Sequence, residues 1–164
     1  MSTTTFHTPR SVAAAPLAST LNFATAKRQL TGHRALVMEE EPESFGRMFL
    51  SLLSAGCPAT LARRWAQVEP TARRTRPTLV LFSTQLADMG GDEVVRRLRG
   101  NPTTAAAILV AIAGRESKKE RRKLFELGCD GYVWKPADRY LFAMDLVART
   151  PRLFQSGSAA TPRV

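Results

Sequence analysis

A chain of 164 residues supports one domain with a single core, and 44% hydrophobic with 23% charged residues is an ordinary soluble balance. No apolar stretch approaches the roughly 20 residues that a membrane-spanning helix needs, and the two cysteines, Cys57 and Cys129, are too few and too far apart for a disulfide framework or a zinc motif. The expectation is a cytoplasmic protein with both thiols in its core, and its net charge of +10 favours acidic partners: nucleic acid, anionic lipid or an acidic protein face.

The charge is unevenly placed. All 14 acids lie between Glu39 and Asp145, whereas five of the 24 bases (Arg10, Lys27, Arg28, Arg152 and Arg163) lie in acid-free flanks. Residues 1–33 are rich in Ser, Thr and Ala without an apolar period, and are expected to form a disordered basic tail. The folded unit is expected over 34–150, with a second disordered tail over 151–164.

The first strand is the stretch Ala35-Leu36-Val37-Met38, whose four consecutive apolar residues leave no polar face. It ends in three carboxylates, Glu39, Glu40 and Glu41, followed by Pro42. In an open parallel sheet the ligand site lies beyond the carboxyl ends of the strands, so this cluster is a candidate cation or phosphate site, or simply a charged loop. Pro42-Glu43-Ser44 opens a helix with Phe45, Met48, Phe49, Leu52 and Leu53 expected on its buried face, and Gly56 stops it. Ala59 to Ala62 reads as a weak second strand. Trp65 to Arg76 should be helical, but Pro70 lies inside it, so a short helix or one starting near Pro70 is expected.

Leu79 to Phe82 is the third strand, followed by a loop to Gly91. Asp92 to Arg99 is a helix with Val94, Val95 and Leu98 inward. Ala107 to Ala113 is the fourth strand, and Glu116 to Leu127 a fourth helix crowded with Lys118, Lys119, Arg121, Arg122 and Lys123. Gly131 to Trp134 is a fifth strand ending at Lys135-Pro136. Arg139 to Arg149 closes the unit as a helix burying Leu141, Met144, Leu146 and Val147. Five strand–helix alternations specify a doubly wound parallel sheet with right-handed crossovers.

In this order the residues resemble the receiver domain of two-component response regulators, over Arg34 to Arg149. The carriers are the acids after the first strand (Glu39, Glu40), Gly56, Pro77 opening strand three, Gly91, and above all Leu127-Gly128-Cys129-Asp130-Gly131-Tyr132-Val133-Trp134-Lys135-Pro136. The resemblance implies a flavodoxin-like (βα)5 fold with strand order 2-1-3-4-5. It also implies where the family's chemistry would sit. The phospho-acceptor Asp at the end of strand three is replaced by Ser83, and a hydroxyl cannot form an acyl phosphate. The switch hydroxyl at the end of strand four is replaced by Ala113, and a Pro in the loop after the acceptor by Ala87. Tyr132 matches the switch aromatic and Lys135 the family lysine. Without the acceptor carboxylate, Glu39 and Glu40 would hold Mg²⁺ weakly at most, and no other cofactor is implied. Lys135 would instead neutralise Glu39 or Glu40.

The expected function is therefore a phosphorylation-independent pseudo-receiver, a protein–protein adaptor in bacterial signalling. No enzyme is expected, since no nucleophile–base pair can be named and His7 and His33 offer no ligand spacing. The expected contact face is helix four, strand five and helix five, carrying Lys118, Lys119, Arg122, Tyr132, Trp134 and Arg139. It suits a partner with an acidic face or a homodimer. Two alternatives remain: nonspecific nucleic-acid binding, without a reading head since fifteen residues follow Arg149, and a phosphorelay single-domain regulator.

Overall fold

β1 (Ala35–Met38) and β3 (Leu79–Ser83) are buried along their whole lengths, as continuous apolar runs require when helices cover both faces of a sheet. The computed structural model describes residues 22–138 and 141–154. With β2 (Ala59–Ala62), β4 (Ile108–Ala113) and β5 (Gly131–Trp134) these strands form a five-stranded parallel sheet in the order β2-β1-β3-β4-β5. This is the doubly wound arrangement expected from the alternation of elements.

Successive side chains of each strand enter opposite layers. Ala35, Val37, Leu79 and Leu81 meet α1 (Phe23–Leu30), α2 (Pro42–Ser54) and α6 (Phe142–Arg149). Leu36, Met38, Val80 and Phe82 meet α3 (Trp65–Thr75), α4 (Gly91–Gly100) and α5 (Lys118–Glu126).

Four expectations change. First, the fold begins before residue 34. The side chain of Asn22 caps α1 by accepting from the Thr25 N–H at 3.0 Å, and Ala26 and Leu30 are fully buried in the α2–α6 layer. Gly56, at φ +78°, permits this close fit, because a Cβ there would lie 2.7 Å from Thr31 Oγ1. Residues 1–21 lie outside the described residues.

Second, the fold also runs past residue 150. Phe154 is buried and meets His33 edge-on at 5.3 Å between ring centroids. Gly131 makes room for this return, since a Cβ on it would stand 2.8 Å from Thr150 Cγ2. Residues 155–164 are outside the described residues.

Third, α3 runs unbroken through Pro70. Gln67 Oε1 accepts from the N–H groups of Arg63 and Arg64 at 2.7 and 3.3 Å and fixes its start. Val68, Thr71 and Ala72 pin its inner face, while Pro70 and Ala66 lie on the exposed side, where water can satisfy the carbonyl that loses its partner.

Fourth, the apolar face of α2 is rotated from the expected one. Ser44, Met48, Ser51 and Leu52 are buried, Phe45 and Phe49 are half-buried, and Leu53 is exposed. Ser51 is inside because its hydroxyl accepts from the Ala143 N–H at 2.8 Å and ties α2 to α6. In α6 the described helix starts at Phe142; Leu141 is exposed and Met144 only partly buried.

Candidate functional site at the carboxyl ends of the strands

The sheet register brings Glu39, Ser83, Ala113 and Lys135 to the carboxyl ends of β1, β3, β4 and β5. Met38 pairs with Phe82, Ser83 with Ile112, and Ala113 with Trp134.

Glu39 is 2% exposed and its carboxylate is saturated. Oε1 accepts from the N–H of Glu40 at 2.9 Å and of Glu41 at 3.1 Å, and Oε2 accepts from Ser44 Oγ at 3.0 Å. Lys135 Nζ stands 3.2 Å from Glu39 Oε2 and 3.5 Å from Glu41 Oε2. A buried carboxylate is tolerated only with such donors and a counter-charge. The lysine partners are thus Glu39 and Glu41; Glu40 turns elsewhere. Its oxygens accept from the Ala87 N–H at 3.1 and 3.2 Å and fasten the loop after β3.

Ser83 is buried, and its Oγ accepts from the Gln85 N–H at 3.2 Å, closing a local turn. Ala113 is buried, and its carbonyl accepts from the Lys135 N–H at 2.8 Å, which starts the loop after β5. The Tyr132 hydroxyl lies 3.4 Å from the Arg115 carbonyl and 3.3 Å from Glu120 Oε1. Burial, then the negative charge of Glu120, raises its phenol above the usual range. Tyr132 is therefore directed into the fold, where it locks the start of α5 to β5 and offers little surface.

These residues do not fit a Mg²⁺ ion. Its octahedral shell needs several outward-directed oxygens, whereas the Glu39 and Glu40 oxygens are turned onto internal N–H, O–H and ammonium donors. Among the described residues no group of three or more Asp, Glu, His or Cys could hold a metal.

On the expected contact face, Lys118, Lys119 and Arg122 are exposed along α5. Arg122 pairs with Glu126 at 3.2 Å. Trp134 is half-buried, edge-on to Tyr132 at 5.9 Å and under the Arg149 guanidinium at 6.0 Å. Arg139 lies outside the described residues. Beside Trp134 an apolar groove of about 630 Å³ is lined by Leu141, Met144 and Ala148 together with Lys135 and Asp138. Neither the groove nor the role of Glu41 was read from sequence; Glu41 was visible there only as the third acid of a run.

No family model matches the chain. It is 31% identical over 102 residues to the probable transcriptional regulatory protein TcrX of Mycobacterium tuberculosis, covering 62% of this chain and 42% of that one. It is 25% identical to the polar-differentiation response regulator DivK of Brucella anthropi, covering 63% of this chain and 85% of DivK. Apart from DivK, it spans about half the length of the curated relatives it matches, 42–52% for TcrX and others. The solved receiver domain of the TMAO respiratory response regulator TorR superposes with a TM-score of 0.62 at 26% identity, over 74% of this chain and 95% of that domain. Sequence relatives and structural neighbours alike are response-regulator receiver domains, and the fold is their flavodoxin-like one. Among the described residues no helix is long and apolar enough to cross a membrane.

Proposed function

We propose that the chain is a pseudo-receiver: a receiver-type module that works without accepting phosphoryl and serves as a protein–protein adaptor in bacterial signalling. The observation that carries this reading is the closed state of the strand-end pocket. Lys135 is bound to Glu39 and Glu41, and the residue at the tip of β3 is a serine whose Oγ is engaged by the Gln85 N–H. An acyl phosphate requires a carboxylate at that tip, and a serine ester would require a base to activate the hydroxyl. The acids that follow the neighbouring strand β1, Glu39 and Glu40, are committed to other donors. Tyr132 and Ala113 fit the same reading. With a methyl group in place of a hydroxyl at the end of β4, nothing there can pull the aromatic toward a phosphoryl group, and its hydroxyl already holds the α5 start. On this reading the module has one resting conformation, and a partner, not phosphate, selects any other.

Incubation with acetyl phosphate and Mg²⁺, followed by intact-mass measurement, tests the proposal. No gain of one phosphate is expected; a stoichiometric adduct would sink the reading and favour a phosphorelay regulator.

A further inference from the structure

β2 is one of the two edge strands of the sheet and pairs with β1 alone. Its sequence, Ala59-Thr60-Leu61-Ala62, carries no charge, and the outer row of backbone N–H and C=O groups has no ladder partner among the described residues. Sheet edges of this kind are usually blunted by a lysine, a bulge or a covering segment, because an open edge pairs readily with another chain. Here the strand has neither charge nor bulge, and its four residues are its own protection.

The helix beside this edge adds an apolar shelf. One flank of α2 is committed to α6 and the loop before it, by the Ser51–Ala143 hydrogen bond and by Arg47 donating to the Pro136 carbonyl at 3.3 Å. Helical spacing puts Phe45, Phe49 and Leu53, four residues apart, on the opposite flank. The two rings are 5.6 Å apart and Leu53 is 50% exposed. Within β2 the alternation of side chains aligns Ala59 and Leu61 with Ala35 and Val37, on the α2 side of the sheet. Leu61 is half-buried there, next to an open backbone edge.

The charge at the edge has one sign. Arg63 and Arg64 follow the strand with exposed side chains, their own N–H groups are taken by Gln67 Oε1, and Ala62 is fully buried, so the open edge ends at Leu61. Among the described residues no carboxylate lies within ion-pair distance of either guanidinium.

Resting on the adaptor reading, we infer that the β2 edge is the docking site for an extended, carboxylate-bearing peptide segment of a partner protein. The segment adds as a sixth strand next to the five present, with apolar side chains on Phe49, Leu53 and Leu61 and carboxylates on Arg63 and Arg64. Main-chain pairing supplies affinity, and the alternate side chains supply the preference.

The test is backbone amide NMR of the full chain titrated with a blocked octapeptide of alternating valine and glutamate. Shift changes and slowed amide exchange are expected at Ala59 to Ala62 and along the Phe45–Leu53 flank. The exposed charge reversal Arg63→Glu/Arg64→Glu should weaken binding about tenfold and pass the preference to a second blocked octapeptide of alternating valine and lysine. Leu53→Lys, at an exposed position, should weaken binding of either peptide without touching the strand. Changes confined to the amides of α5 with β2 unmoved, no binding, or binding indifferent to the charge reversal would each overturn the inference. A phosphate adduct would undo the adaptor reading and leave this edge intact, whereas a silent β2 would remove the edge alone.

Discussion

Near the amino ends of β4 and β5, Arg99 meets Asp130; at the carboxyl ends of β1 and β5, Lys135 meets Glu39 and Glu41. Both are ion pairs in the body of the domain, but their geometry differs. The Arg99 guanidinium donates to the carbonyls of Ala105, Ala107 and Gly128 at 2.7–3.0 Å and to Asp130 Oδ2 at 2.6 Å. The same oxygen accepts from the Leu109 N–H at 2.9 Å. One planar fork thereby ties α4 to the two segments that lead into β4 and β5. The Lys135 ammonium makes longer contacts, 3.2–3.5 Å, to carboxylates alone. It neutralises; it does not template. The contrast follows from the two cations, a rigid set of donors and a compact point charge.

Three changes sharpen the contrast. Arg99→Ala should cost most, about 3–5 kcal/mol, since it takes a charged donor from Asp130 and from three carbonyls at once; the urea midpoint measures it, and Arg99→Lys should recover less than half. Lys135→Ala should cost about 2–3 kcal/mol by leaving Glu39 buried without a counter-charge. Pairing it with Glu39→Gln should restore much of that loss, and no restoration would mean that Lys135 acts through packing.

The smallest effect is a pH dependence at the Arg99 end of the sheet. His33 Nδ1 lies 3.0 Å from Thr78 Oγ1, and burial, then the charge of Arg34, lowers its pKa below 6.5. The folded state thus binds a proton less readily than the unfolded chain. Stability is complete above pH 6.5 and falls as pH drops through the folded value. Denaturation midpoints at neutral and mildly acidic pH should show a drop that His33→Gln reduces.

The sheet was legible because β1, β3 and β4 are unbroken apolar runs between turn residues, and the alternation of elements leaves few topologies. α1 was not: its buried set is only Ala26 and Leu30, too sparse to display a period, and its stability comes from contact with α6. Pro70 was misjudged because propensity counts the lost hydrogen bond but not the inner face that holds α3. In the site, the residue types at the strand tips were readable. Which acid Lys135 chooses was not, because the turn after β1 decides which carboxylate points inward. Tyr132 and its partner Glu120 are twelve residues apart, and only the fold brings them together.

Cys57 and Cys129 are both buried, as expected of core thiols, with burial pushing them up to about 12 and about 11. They sit in different layers, Cys57 with α1, α2 and α6 and Cys129 with α4 and α5. A thiol this protonated and enclosed reacts only when its surroundings open. The chain's only two cysteines are thus a pair of built-in clocks, one on each side of the sheet. The ratio of their labelling rates tells whether the two layers loosen together or one at a time.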